Sequence, residues 1–329
     1  MLKTKTAFIP TYIYWELCDK CNLNCKHCFA NSSPDKNMFA DKNILFKKIN
    51  EINSDVNVPL RFGGGEPLLV PYLYELLTYC ATNFCPASIT TNGILISEEK
   101  AKELAKIEIN SITVSIDGTE LYNDELRGIG SFKKALNGLK NLMDNGLNVS
   151  VAFTVNGKNY LNLHDYIVYF YSFGIRTFYI FRYIHDPKKH DNNLRINKDI
   201  LKFSKTILRE MEEKYSDARI IYEKVGFLSF DDKFNENLHK CHFAARMLTI
   251  KHDGSVVVCA AIPNVMGNIY TDDLYQIYVN ISAEIDKIQQ IPDECVPCTF
   301  ANICRGGCKS PSVLKYNCYD CKDDCCYII

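Results

Sequence analysis

Three thiols stand at C-x3-C-x2-C spacing in Cys21-Asn22-Leu23-Asn24-Cys25-Lys26-His27-Cys28, directly after the apolar run Tyr12–Leu17. Thiolates are the soft ligands that hold iron–sulfur clusters. Three of them on one short loop can grip three irons of a [4Fe–4S] cube and leave the fourth iron open to a substrate or cofactor. A structural zinc knuckle is the alternative, although zinc prefers four ligands and often pairs C-x2-C units. A second territory begins at Cys241, continues through Gly254 to Cys259, and then runs Cys295-x2-Cys298-x5-Cys304-x3-Cys308. Gly306-Gly307 permit a tight turn around metal there, and Cys318, Cys321, Cys325 and Cys326 follow in the tail. A zinc ribbon is the alternative for this region.

Sixteen cysteines in 329 residues are many, and only Cys80 and Cys85 lie between the two territories. The start of the chain has no signal-peptide apolar core. Clustered cysteines in such a chain argue for metal in a reducing cytosol rather than for a disulfide mesh. The net charge is −1, with no basic blocks, so nothing points to nucleic acid. No apolar run approaches the ~20 residues a bilayer span requires. With 47% hydrophobic residues the chain has ample core for one large domain and a smaller one.

The elements that must position these thiols read as a regular alternation. Residues 11–17, 58–62, 87–91, 109–116, 148–155 and 175–183 are rich in β-branched and aromatic residues and read as strands. Helical spacing of apolar positions falls in 41–53, 72–79, 98–106, 131–145, 161–172 and 198–214, with Ser97 as a cap and Gly146 as a stop. About six strand-then-helix units imply a parallel sheet with helices outside. Periodicity alone does not choose between a doubly wound sheet and a barrel. In either fold the working residues gather at the C-terminal ends of strands. The cysteine loop, Gly63–Glu66, Thr91-Asn92, Ser115–Asp117, Asn156 and Arg182 all fall there. Asp186–Asn193 reads as an exposed polar loop with a solvated lysine pair, and Met247–Lys251 with Val256–Val258 as a β-hairpin around His252-Asp253-Gly254-Ser255.

The cysteine loop followed by Gly63-Gly64-Gly65-Glu66-Pro67 resembles the signature of the radical S-adenosylmethionine (SAM) enzymes, whose GGE motif ends the second strand. The pattern from Cys241 to Cys326, with Met266-Gly267-Asn268-Ile269 and the helix after it, resembles their SPASM extension. The resemblance implies an α/β chain with a partial (β/α)6 barrel over residues 1–215, a bridge over 216–240 and a cysteine-rich SPASM domain over 241–329. It implies SAM and three [4Fe–4S] clusters as cofactors. Cys21, Cys25 and Cys28 match the ligands of the SAM-cleaving cluster. Cys241, Cys259 and Cys308 match those of a first auxiliary cluster, and Cys295, Cys298 and Cys304, completed by Cys326 or next by Cys325, those of a second. No cysteine lies shortly upstream of Cys241, so the first auxiliary cluster either keeps an open iron or takes a spare tail cysteine.

Gly64, Gly65, Glu66, Asn92, Ser115, Asp117 and Arg127 match the SAM-binding region. The glycines let SAM approach the backbone, Ser115 and Arg127 match positions for the ribose and the carboxylate, and Glu66 reads as a strand-end structural acid rather than a base. Asp117 reads equally well as a cap for the segment after it. The implied activity is oxidoreductase-type radical chemistry on a peptide or protein, forming a thioether or carbon–carbon crosslink or inverting an α-carbon, with Cys18 or a tail cysteine as hydrogen donor in the last case. A dehydrogenase or epimerase acting on a sugar or aminoglycoside is the alternative. The implied partners are a flavodoxin- or ferredoxin-type reductant and a peptide. A first strand starting near residue 11 leaves no room for an N-terminal leader-binding domain, so leader recognition is expected from a separate protein or from the barrel itself.

Overall fold

The computed structural model describes residues 10–55, 58–187, 191–223, 226–228 and 247–328. Seven strands alternate with helices along the first two thirds of the chain: β1 (Tyr12–Cys18), α1 (Lys42–Asp55), β2 (Leu60–Gly64), α2 (Leu73–Thr82), β3 (Ala87–Thr91), α3 (Glu98–Leu104), β4 (Ser111–Ser115), α4 (Glu120–Arg127), α5 (Ser131–Asp144), β5 (Val149–Val155), α6 (Leu163–Ser172), β6 (Thr177–Arg182), α7 (Lys198–Lys214) and β7 (Arg219–Tyr222). The hairpin β8 (Met247–Ile250) and β9 (Ser255–Val257), the strand β10 (Val265–Asn268) and the helix α8 (Leu274–Ile288) follow.

All ten strands form one sheet in the order β10-β9-β8-β1-β2-β3-β4-β5-β6-β7. From β8 to β7 every pairing is parallel, and β9 alone runs the opposite way, pairing antiparallel with both β8 and β10. A doubly wound sheet needs a reversal of strand order. The run from β1 to β7 has none, so right-handed crossovers put successive helices on the same face. The sheet also curls. Arg61 on β2 and Tyr179 on β6 are four ladders apart, roughly 19 Å in a flat sheet. Yet Arg61 Nη2 donates to Tyr179 Oη at 3.3 Å. The architecture is therefore the partial barrel, extended by β7 on one edge and by the hairpin on the other.

The pleat sorts the side chains. On β1, Ile13, Trp15 and Leu17 are fully buried toward the helices, with Leu60, Phe62, Ile89, Ile112, Val114, Val151, Phe153 and Phe178 on the following strands. The opposite face, lining the barrel, carries Tyr12, Tyr14, Glu16, Arg61, Thr113 and Tyr179. Such alternation is unusual for a parallel sheet covered on both faces and marks the interior as a polar chamber.

Between β1 and β7, the helix α4 and the strand β7 are not expected from the sequence. In α4 the buried positions are Asn123 and Leu126 while Leu121 is exposed, so no apolar stripe announces it. β7 is only four residues long, inside the stretch expected as a bridge. The expected hairpin is present, its strands paired through Thr249–Val257 and Ile250–Val256.

The C-terminal tail is tied to the barrel by a buried ion pair. Arg182, at the end of β6, meets Asp323 with both Nη groups, the Nη2–Oδ1 contact being 2.8 Å. Asp323 also accepts from the backbone N–H of Cys308 (3.2 Å) and Cys325 (2.9 Å). One carboxylate thus sets the positions of two cysteines and of the barrel edge. Removing one partner of such a pair strands the other charge, which costs about 3–5 kcal/mol. Asp323→Ala is expected to lower stability by about that amount in anaerobic urea titration; a loss under about 1 kcal/mol would show that the pair does not hold the tail.

Candidate active site

The cysteine loop leaves β1 at its C-terminal end and is held on both sides. Lys26 N–H donates to Leu126 O (3.0 Å) and Cys21 N–H to Ser33 O (3.1 Å). Cys21 Sγ accepts from Leu23 N–H at 3.4 Å and from Asn92 Nδ2 at 3.8 Å. Burial pushes the Cys21 thiol up to about 11 and the Cys25 thiol up to about 12, with the neighbouring loop sulfurs adding to both. As bare thiols they are protonated at neutral pH, so ligation requires a metal that displaces the proton. The donor set fits a cube with one open iron. His27, inside the loop, directs Nε2 to Asp117 at 2.8 Å, and among the described residues no three His, Cys, Asp or Glu side chains converge on a single-ion site here.

The glycine motif packs directly on this loop. Gly64 adopts φ +108°, and a Cβ on Gly65 would lie 1.9 Å from Lys20 O. Gly65 N–H donates to Cys18 O (2.7 Å) and Glu66 N–H to Lys20 O (2.9 Å). Glu66 is fully buried and uses both carboxylate oxygens on the protein: Oε1 accepts from Thr91 Oγ1 (2.7 Å) and Leu68 N–H (3.1 Å), and Oε2 from Asn92 N–H (2.8 Å). It locks β2 to β3, in keeping with a structural acid. Asn92 is likewise committed to the loop, donating to Asn22 Oδ1 at 2.7 Å and accepting from Ile94 N–H at 3.0 Å. Ser115 ends β4 on the barrel-facing side.

Asp117 is buried between the loop and α4. Its Oδ2 receives His27 Nε2 (2.8 Å) and Arg127 Nε (2.6 Å), and its Oδ1 receives Thr154 N–H (2.7 Å). Burial alone would raise its pKa, but the Arg127 guanidinium and His27 overcome that and hold it well below the usual carboxylate range. Both Nη groups of Arg127 lack a hydrogen-bond partner among the described residues, while Cys25 and Cys28 lie within its field. A buried guanidinium with its fork unspent suits a carboxylate, such as that of SAM. Arg127→Lys, which keeps the charge and loses the fork, is expected to weaken SAM binding about tenfold without loss of iron. Unchanged SAM affinity by equilibrium dialysis would remove Arg127 from the site.

In the second territory, Cys295, Cys298, Cys304 and Cys326 line one pocket. Phe300 N–H donates to Cys298 Sγ at 3.4 Å. Among the described residues no three His, Cys, Asp or Glu side chains converge on a single-ion site; the thiols surround a cavity instead. Cys259 and Cys308 lie within each other's field, and Cys259 Sγ is 3.6 Å from Ser310 Oγ. Cys241 lies outside the described residues. Cys325 is turned away from the pocket and donates to Ile196 O at 3.2 Å. Cys318 and Cys321 form a disulfide, a departure from the expectation that the clustered cysteines serve metal rather than disulfides. Their spacing of three residues looks like a metal knuckle and gave no warning of it.

The sequence reading passed over His27, Arg61 and the pair Glu16–Lys251, whose contact is 2.7 Å across β1 and the end of β8. His27 sits inside the motif, where only its partner Asp117 reveals a role. Glu16, Arg61 and Lys251 belong to no motif; their signal is a charge at an alternate position of an otherwise apolar strand.

Comparison with known proteins places this geometry. Residues 15–167 match the model of the radical SAM superfamily. Fe-coproporphyrin III synthase of Methanosarcina barkeri is 34% identical over 152 residues, covering 45% of this chain and 37% of that protein. The matched part is thus well under half of that relative's length. The antilisterial bacteriocin subtilosin biosynthesis protein AlbA of Bacillus subtilis is 28% identical over 315 residues, covering 91% of this chain and 67% of AlbA. Among solved structures, Streptococcus suis SuiB bound to S-adenosylmethionine superposes with a TM-score of 0.80 at 17% identity, over 98% of this chain and 78% of SuiB.

Proposed function

We propose that the chain is a radical SAM enzyme that modifies a peptide or protein by removing a hydrogen atom from it, a reading supported by the match of residues 15–167 to the radical SAM superfamily. The observation that carries this reading is the alignment with the subtilosin biosynthesis protein, which runs through the barrel and the cysteine-rich end alike. When bound, the cluster and SAM supply one-electron cleavage of a C–S bond and a carbon radical able to take a substrate hydrogen. The protein holds and shields these groups. Cys21, Cys25 and Cys28 would ligate the cluster, Gly64 and Gly65 admit SAM to the backbone, Arg127 receives its carboxylate and Ser115 its ribose. Glu66, Asn92 and Asp117 fix the surrounding loops, and the polar barrel interior receives the substrate.

Residues 241–329 form the auxiliary region in this reading, with Cys295, Cys298, Cys304 and Cys326 holding one cube and Cys241, Cys259 and Cys308 another. The cytosol suits so many free thiols, and a flavodoxin- or ferredoxin-type protein supplies the electron. The test is anaerobic reconstitution with SAM, reductant and short peptides encoded beside the gene. The expected product has lost two hydrogens, as a crosslink requires, or carries solvent deuterium at an inverted α-carbon. Similarity to Fe-coproporphyrin III synthase favours a second reading, a small-molecule substrate; unmodified peptides together with turnover of a small molecule would establish it instead.

A further inference from the structure

We propose that Arg61 is a carboxylate-binding residue at the floor of the barrel and that the substrate presents an anionic carboxylate to it. This inference rests on the peptide-modifying reading only for the source of that carboxylate. Arg61 stands on β2 two residues before Gly63, one layer of side chains deeper in the barrel than the glycine motif. Its guanidinium is ringed by neutral hydroxyls. Nε donates to Tyr12 Oη, Nη1 to Thr113 Oγ1 at 2.5 Å and more weakly to Thr90 Oγ1 at 3.5 Å, and Nη2 to Tyr179 Oη at 3.3 Å. The group also lies 4.9 Å from the Tyr179 ring centroid and 5.9 Å from that of Tyr12.

Among the described residues no carboxylate lies within ion-pair distance of Arg61. Glu16, an acid on the same face of the neighbouring strand, is engaged by Lys251. A guanidinium has five N–H donors, and four hydroxyl contacts leave at least one Nη2 proton unused. An uncompensated charge held inside a fold is costly unless something pairs with it. Neutral oxygens and aromatic faces hold the cation in place without neutralising it, which leaves its charge for an incoming anion. Arginine suits this task better than lysine because its planar fork matches a carboxylate. Beside it, Tyr179 and Phe181 stack along β6, and Phe181 is exposed, an apolar wall for the part of the substrate next to the carboxylate.

Two sources offer that chemistry in a peptide, a C-terminal carboxylate and an acidic side chain. The test measures binding of four probes to reconstituted wild-type holoprotein, Arg61→Lys and Arg61→Met. The probes are 4-phenylbutyrate, acetyl-Phe-Gly with a free terminus, acetyl-Phe-Asp-amide and acetyl-Phe-Asn-amide. The wild type is expected to prefer at least one carboxylate probe over the Asn peptide by about tenfold or more. Arg61→Met is expected to lose that preference and Arg61→Lys to keep part of it. Iron content and circular dichroism of both variants confirm folding; if the Met variant does not fold, the Lys variant and the wild-type preference decide. Which peptide wins identifies the source. Preference for 4-phenylbutyrate alone, lost in Arg61→Met, would support the carboxylate site while overturning the peptide reading. Equal binding of all probes by the wild type, or a preference that survives in Arg61→Met, would overturn the proposal.

Discussion

Replacing Cys21, Cys25 and Cys28 together with alanine is expected to abolish formation of 5′-deoxyadenosine from SAM while iron persists elsewhere in the chain. The loop is anchored at Lys26 and Cys21 by backbone hydrogen bonds that do not involve the three thiols, so the fold should survive. With one cube lost, iron should fall by about four atoms per chain. Anaerobic iron analysis and chromatography of the SAM products check both halves. Undiminished SAM cleavage would refute the assignment of the loop. Loss of all iron would show that the two territories do not load independently.

The second large effect concerns the other end of the chain. Cys295, Cys298, Cys304 and Cys326 share one pocket, and burial pushes the Cys304 thiol up to about 12. Thiols gathered this closely gain little unless a metal takes their protons' place. Anaerobically reconstituted wild-type protein is expected to hold about twelve irons, four for each of three cubes. The quadruple alanine variant should hold about eight and still cleave SAM. About four irons in the wild type, with zinc making up the remainder, would reject both auxiliary clusters.

Much of this was legible in the sequence because the relevant signals are local. Strand β3 and helix α7 begin and end where alternation and helical spacing place them. The motifs fall at strand ends because a parallel α/β fold leaves only those ends open to ligands. What escaped notice depends on contacts far apart in the chain. His27 has meaning only beside Asp117, ninety residues on. Arg61 reads as a stray charge in an apolar strand until the sheet curls and brings Tyr179 to it. Helix α4 hides because its buried face includes Asn123, which donates to Ser131 Oγ at 2.8 Å instead of joining an apolar stripe. The choice of Cys326 over Cys325 for the pocket turns on a single peptide unit, since Asp323 accepts from Cys325 N–H and Cys325 Sγ faces Ile196. No spacing rule resolves two adjacent cysteines; the ion pair from Arg182 to Asp323 sets the local geometry.

The central claim is that a radical made from SAM at the Cys21–Cys28 loop takes hydrogen from a peptide held in the barrel. Deuterium transfer tests it most directly. A perdeuterated peptide substrate is incubated anaerobically with the reduced, reconstituted protein and SAM, and the 5′-deoxyadenosine is analysed by mass spectrometry. The account predicts that 5′-deoxyadenosine gains deuterium in step with peptide modification, and that the Cys21, Cys25 and Cys28 variant yields none. A modified peptide accompanied by unlabelled 5′-deoxyadenosine would contradict it.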